Sequence, residues 1–275
     1  LECGVAPLFF RTFRFASFWW KESIREAMGM ALKIVKWVGI DFGQCLMSPS
    51  SLRNPRMFGD IGKLLGKHEM IPVWIERMRR LKEKYKTYSL VKEKHREEIL
   101  TFVFDHDREA YELFGQKEPE LLSMAPGLRE FLIWINAEGI RPSVVSELKK
   151  TLGPVGTDMI TKFLIAKGII GSFQYFITPH GKMDLATGEQ FENYRGTSKE
   201  SGTLYDEILK ELRTQGIQPQ ECVMIGDKRI TDIIPAKRRG LITIQYTGHI
   251  DEGPCDESDY VAESFFKVKE ILERL

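Results

Sequence analysis

The chain has 275 residues, 43% hydrophobic and 29% charged, which is ordinary globular composition with room for one large domain or two modest ones. Its 40 basic and 39 acidic residues leave a net charge of +1, so there is no bulk field to hold nucleic acid or an anionic membrane. No apolar run reaches the roughly 18–20 residues of a stable membrane span. Cys3, Cys45, Cys222 and Cys255 lie far apart with no CxxC pair, which excludes a zinc knuckle or redox dithiol and suits a reducing cytoplasm.

Residues 1–30 read unlike the rest. Leu8 to Trp20 is aromatic and interrupted by Arg11 and Arg14. It is too short and charged for a bilayer span, and it lacks the continuous apolar centre of a secretory signal. Three readings stay open. The stretch is a basic amphipathic segment on a membrane surface, a helix packed on the domain, or an over-extended reading frame. The last draws on the initial Leu and on Met28 and Met30 just before the first strand.

An apolar run follows: Ile34, Val35, Trp37, Val38 and Ile40, stopping at Asp41. Burying an unpaired charge inside a strand is costly, so Asp41 marks the strand's carboxyl end, where open α/β sheets bind ligands. The period then changes. Ile71, Trp74, Ile75, Met78 and Leu81 recur at helical spacing. Leu90, Ile99, Leu100, Val103 and Phe104 suggest a second helix, and Ala110 to Phe114 a short third. Lys82, Lys84, Lys86, Lys92 and Lys94 form a basic, solvated band. Residues 49–121 therefore read as a helical insert within a core of residues 31–48 and 122–275.

The α/β alternation resumes at Pro126. Predicted elements are a helix from Leu128 to Gly139, a strand at Arg141–Ser146 and a helix from Gly156 to Ala166. A strand at Phe173–Thr178 is followed by a glycine-bearing loop or hairpin over Pro179–Ser198. A helix at Ser201–Gln215, a strand at Cys222–Ile225 and a helix ending at Gly240 come next. Leu241–Tyr246, a short strand at Tyr260–Val261 and a helix from Phe265 finish the chain. Such alternation predicts an α/β fold, a Rossmann-like parallel sheet covered on both faces.

Four stretches place polar residues at or after strand ends: Asp41 in GIDFG, Ser146 in SVVSE, Lys199 in GTSKESGTLY, and Asp227 with Asp232 in VMIGDKRITD. On a parallel sheet they converge on one edge. Three clustered carboxylates cannot all stay charged without a cation, and an oxygen-only set suits Mg²⁺. A hydroxyl and an ammonium beside them would hold phosphoryl oxygens. A carboxylate nucleophile, a metal and a cationic clamp suit phosphoryl transfer through an aspartyl-phosphate.

In this order and strand context the four motifs resemble those of the haloacid dehalogenase-like (HAD) hydrolase superfamily, over residues 34–275. The resemblance implies that Asp41 is the nucleophile of motif one, and that Ser146 of motif two and Lys199 of motif three are catalytic and substrate-binding. Tyr205 stands at the aromatic position that often follows the lysine. Gly226, Asp227 and Asp232 form motif four, and the metal set is Asp41, Gly43, Asp227 and Asp232. The insert at 49–121 resembles the superfamily's helical cap domain. Glu147, where the superfamily often has Asn, is a substrate contact or a solvated edge residue.

The departure is at Gly43. Phosphatases of the superfamily carry an Asp there as general acid and base, followed by Gly-Thr; here the sequence reads Gly43-Gln44-Cys45. General acid–base help is worth about 10²–10⁴-fold. Members that cleave carbon–halogen or carbon–phosphorus bonds also lack that Asp, the latter using a cap lysine as a Schiff base. The expectation is a cytoplasmic Mg²⁺-dependent hydrolase of a small phosphorylated metabolite, with no nucleic-acid partner and an oligomeric state left open. Two alternatives stand beside it: a dehalogenase- or phosphonatase-like hydrolase, and a non-catalytic HAD-like binding protein. Cys45 reads as a small buried apolar residue, and His106 and His180 as surface histidines, His180 being the better candidate acid.

Overall fold

A computed structural model of the chain describes residues 34–48, 55–85, 95–147, 152–249, 253 and 255–275. The expectations for residues 1–30 and for Lys86, Lys92 and Lys94 lie outside the described residues.

The first strand, β1, is Trp37–Ile40, and all of it is buried. It pairs in parallel with β4 (Ser143–Val145) on one side and β8 (Cys222–Gly226) on the other. The sheet continues through β5 (Tyr175–Thr178) in one direction and through β9 (Ile242–Tyr246) and β10 (Tyr260–Ala262) in the other. A strand buried on both faces has no polar side to show, which is why Trp37 to Ile40 carry no polar side chain ahead of Asp41. Gly39 serves close packing: a Cβ there would run into the Trp37 ring, 2.9 Å from its Cζ3 and closer still to Cη2.

The full order of the sheet is β10-β9-β8-β1-β4-β5 followed by two further strands. The expectation of a parallel sheet holds from β10 to β5. Beyond β5 the Pro179–Ser198 stretch adds two antiparallel strands, β6 (Gly181–Asp184) and β7 (Gln190–Phe191). This hairpin is seated by Lys182, which is buried, pairs with Glu211 at 2.5 Å and lies over the rings of Tyr175 and Phe191. A lysine reads as surface in sequence, and only the fold supplies its carboxylate and its aromatic walls.

Helices cover both faces. On one side Phe131, Leu132 and Ile135 of α4 (Leu128–Ala137), Phe163 of α5 (Met159–Ala166) and Phe265 and Val268 of α8 (Phe265–Leu272) pack on Val38, Ile40, Val144 and Ile225. On the other, Leu204, Tyr205, Ile208 and Leu212 of α6 (Thr203–Thr214) and Ala236 of α7 (Ile234–Lys237) pack on Trp37, Val145 and Met224. Strand alternation divides the two sets, since neighbouring side chains point to opposite faces. The Asp158 carboxylate caps α5 by accepting from the N–H groups of Ile160 and Thr161 at 2.8 and 2.9 Å.

The helical stretch leaves and rejoins the core through a two-stranded ribbon, β2 (Met47–Ser48) against β3 (Ser123–Met124). Between them lie α1 (Pro55–Leu65), α2 (Met70–Tyr85), a π-helical segment (Ile99–Val103) and α3 (Arg108–Leu121). They share a separate apolar core of Phe58, Trp74, Met78, Val103, Phe104 and Phe114. The rings of Phe58 and Phe114 stack at 5.9 Å, and Trp74 meets Phe104 edge-on at 5.3 Å. No helix of the described residues is long and apolar enough to cross a membrane.

Candidate active site

Asp41 is the first residue after β1, and its N–H donates to the Ile225 carbonyl at 2.8 Å. Asp227 is the first residue after β8, the strand paired with β1. Ser146 is the first residue after β4, on the other side, with its N–H donating to the Ile177 carbonyl at 3.0 Å. Three adjacent parallel strands thus end in three polar residues on one edge. Asp232 joins them from a π-helical turn (Arg229–Ile233) that folds back over the end of β8.

Gly226 makes that return possible: a Cβ at 226 would stand 2.5 Å from Asp232 Cγ and 2.6 Å from Oδ2. The Lys228 N–H then holds Asp232 Oδ2 at 3.0 Å, and the Thr231 hydroxyl donates to Oδ1 at 3.3 Å. Asp41, Asp227 and Asp232 are buried, and each offers an oxygen within 4.8 Å of the other two.

Lys199 comes from the loop before α6 and is 1% exposed, so its charge must be met by protein groups. Its Nζ donates to Asp41 Oδ1 at 2.7 Å and to the Val145 carbonyl at 3.1 Å, and it pairs closely with Asp232 Oδ1. Its backbone N–H donates to Glu147 Oε2 at 2.9 Å. Glu147 therefore ties the Lys199 loop to the end of β4. Tyr205, one turn into α6, donates its hydroxyl to the Thr231 carbonyl at 2.8 Å, tying the lysine's helix to the Asp232 turn.

Two features had no signal in the sequence. Arg239 donates to the Ser201 carbonyl at 3.2 Å and to both oxygens of Asp206 at 2.7 and 2.8 Å. It lies against Gly202, where φ of +82° and the guanidinium together exclude a side chain. Gln44, three residues past Asp41, holds φ of 64°. That left-handed conformation costs an L-residue with a Cβ roughly 1–2 kcal/mol.

The electrostatics follow from burial. Asp41 is pushed up to about 6, chiefly by desolvation, with Lys199 drawing it down and Asp232 pushing it further up. Asp227 is pushed up to about 8 by burial and then by the like charges of Asp41 and Asp232. For Lys199 burial works downward, but attraction to Asp232 and Asp41 holds the ammonium well above its ordinary value. The cluster thus carries one fixed cation against three carboxylates, and that cation touches two of them. Among the described residues Asp227 forms no ion pair, although the charges of Lys228 and Lys199 act on it, and its Oδ1 is buried without a hydrogen-bond partner. An orphaned buried carboxylate oxygen inside an all-oxygen set is what a hard divalent cation such as Mg²⁺ satisfies. Asp227, Asp232 and Asp41 fit that ion, and Gly43, having no side chain, could add only its carbonyl.

Gly43 lies beside the nucleophile candidate. A Cβ there would meet only Asp41 Oδ2, at 3.8 Å, which is ordinary contact. Cys45 is fully buried and its thiol is pushed well up by desolvation, in keeping with a small apolar role. His106 is exposed and His180 half-buried. A cavity of about 100 Å³ among Trp37, Tyr175, Tyr194 and Glu211 opens at the amino edge of the sheet, away from this cluster.

A HAD-hydrolase-like family model matches residues 197–267, the stretch that holds Lys199, Tyr205, Asp227 and Asp232. A comparison with curated proteins returns no match. Among solved structures, the chain is similar to a dehalogenase solved as an intermediate complex, at 13% identity and TM-score 0.54, covering 87% of this chain and 97% of that one. It is similar to YfnB of Bacillus subtilis, assigned as a HAD hydrolase and crystallised with magnesium, at 14% identity and TM-score 0.51, covering 87% and 99%. It is also similar to a Thermotoga maritima protein assigned as a β-phosphoglucomutase, at 14% identity and TM-score 0.51, covering 86% and 99%. At such identities the likeness is one of fold. The chain thus shares its fold with these structures along nearly all of its described core, and the stretch 197–267, which holds the lysine and acidic motifs, is similar to the HAD-hydrolase-like family.

Proposed function

We propose that the protein is a Mg²⁺-dependent phosphatase of a small phosphorylated metabolite, working in the cytoplasm through an aspartyl-phosphate on Asp41. The observation that carries this reading is the division of labour among the three carboxylates. Lys199 bridges Asp41 and Asp232, while Asp227 keeps an unpartnered oxygen. Asp41 attacks phosphorus. Lys199 and the Ser146 hydroxyl hold phosphoryl oxygens, and Glu147 fixes the Lys199 backbone. Asp41, Asp227, Asp232 and the Gly43 carbonyl would hold Mg²⁺, which when bound supplies charge neutralisation for the phosphoryl oxygens. The helical unit, which leaves the core six residues after Asp41, serves as the cap that closes over substrate.

Gly43 favours a second reading, cleavage of carbon–halogen or carbon–phosphorus bonds, where the superfamily also lacks the acidic residue. Two observations weigh against it. The unpartnered Asp227 oxygen speaks for a metal, which the dehalogenases do without. A Schiff-base lysine needs a lowered pKa; of the cap candidates Lys82, Lys84 and Lys86, Lys84 is hydrogen-bonded to Tyr85 and Glu98 and held up. A non-catalytic binding protein would need neither the buried Lys199 bridge nor the orphaned Asp227. The test is a screen of phosphorylated metabolites with and without Mg²⁺ beside Asp41→Asn. Metal-dependent turnover that vanishes in the variant is expected, and turnover that survives in the variant overturns the assignment.

A further inference from the structure

Gly43 and Gln44 together describe the leaving group. Nothing at position 43 can give a proton to a departing oxygen. Among the described residues four neighbouring titratable groups are already engaged, Asp227 is the carboxylate assigned above to the metal, and the Lys228 ammonium, whose charge acts on Asp41 and Asp227, is exposed. Lys199 sits between Asp41 and Asp232, and Glu147 accepts the Lys199 N–H. The Tyr205 hydroxyl donates to the Thr231 carbonyl, and the Cys45 thiol is fully buried facing the Ile225 carbonyl.

The polar side chain the loop does supply is Gln44. Its Oε1 is buried without a partner and its backbone holds φ of 64°. A buried unmet acceptor and a left-handed L-residue are each unfavourable. Both fall on one residue, three positions past the nucleophile, and such strain gathers where function needs it. A carboxamide can accept a hydrogen bond and orient a water, but it cannot transfer a proton at neutral pH.

Resting on the phosphatase reading, we propose that this site acts on phosphoryl compounds whose leaving group departs without being protonated, namely acyl phosphates and activated aryl phosphates, with Gln44 Oε1 orienting the hydrolytic water. In the first step an Asp41 oxygen bonds to phosphorus and the bond to the leaving oxygen breaks. The leaving group takes the electron pair and departs as a carboxylate or phenolate. In the second step water, hydrogen-bonded to Gln44 Oε1, bonds to phosphorus and the bond to Asp41 breaks. Asp41 leaves as its carboxylate, and the water's protons end on inorganic phosphate and solvent. Neither step needs an acid at position 43.

The experiment uses the full chain with Mg²⁺ and compares acetyl phosphate, p-nitrophenyl phosphate, phenyl phosphate and glycerol phosphate. The expected result is a kcat/KM that falls at least about 100-fold from the first two to the last, the scale of missing acid catalysis. Gly43→Asp is expected to raise the kcat/KM for glycerol phosphate relative to that for acetyl phosphate by about 10²–10⁴-fold. Gly43→Asn, of the same size but with no proton to give, is expected to show no gain. Gln44→Gly is expected to raise the melting temperature by relieving the backbone and to slow steady-state turnover of acetyl phosphate about tenfold without shrinking the first-turnover burst. Wild-type rates indifferent to the leaving group, equal gains from Gly43→Asp and Gly43→Asn, or an unslowed Gln44→Gly would each overturn the inference. Acetyl phosphate hydrolysis that persists in Asp41→Asn overturns the phosphatase reading instead, and a wild type that hydrolyses none of the four overturns both.

Discussion

Asp232 occupies the space that a side chain at position 226 would need: a Cβ on Gly226 would stand 2.5 Å from Asp232 Cγ. The glycine that precedes Asp227 is therefore the seat of the next carboxylate, which returns over the strand end to meet Lys199. Removing one hydrogen's worth of space at 226 moves a group that five residues of chain would otherwise leave free.

Gly226→Ala should displace Asp232 and with it the Lys199 bridge. Overpacking of this kind costs about 1–3 kcal/mol. Denaturant unfolding should show that loss, and calorimetric titration should show weakened Mg²⁺ binding. A variant that binds Mg²⁺ like the parent would contradict the packing argument.

Lys199→Met keeps the length of the side chain and removes its charge. Two buried carboxylates lose their cation, a change typically costing about 3–5 kcal/mol. The destabilisation should be greatest above neutral pH, where Asp41 is ionised, and smaller at acid pH, where a proton replaces the ammonium. Urea melts at two pH values decide it; an equal loss at both would mean that Lys199 acts through packing alone.

In EDTA the fold should weaken as pH rises. The Asp227 carboxyl is raised from its ordinary value near 3.8 to about 8, and Asp41 to about 6. Protonation therefore favours the folded state. The contribution is complete below the ordinary carboxylate range and is lost as pH climbs through 6 and 8. The slope should reach about 1.4 kcal/mol per pH unit for each proton involved. Mg²⁺ binds the ionised carboxylates, so its stabilising effect should grow over the same range. Melting curves with EDTA and with Mg²⁺ across this window test it, and a metal effect independent of pH would refute it.

Tyr205→Phe removes only the hydroxyl that holds the Thr231 carbonyl. The loss should be about 0.5–1.5 kcal/mol, with lowered Mg²⁺ affinity because the Asp232 turn is no longer tied to α6. Unchanged melting and unchanged affinity would show that the turn holds itself.

Much of this protein is legible along the chain because the physics involved is local. An apolar run that ends in a carboxylate is a buried strand meeting solvent, so Asp41 and Asp227 could be set at strand ends, and the helical period of Trp74, Met78 and Leu81 marked a separate packed unit. Lys182 defeated that reasoning. Its neutraliser Glu211 lies 29 residues away, and its aromatic walls exist only once the β6–β7 hairpin has folded back on β5. Glu147 was equally opaque, since its partner is a backbone N–H 52 residues on.

Residue order alone determined which strands end in acids, that a helical unit interrupts the sheet after the first strand, and that position 43 has no proton to offer. Tertiary structure alone decided that Lys199 serves Asp41 and Asp232 while Asp227 is left unpaired, that Gly226 is the floor beneath Asp232, and that Gln44 bears a strained backbone. Periodicity and charge cost act between chain neighbours and can be read from them; pairing, close approach and desolvation depend on groups that only folding brings together.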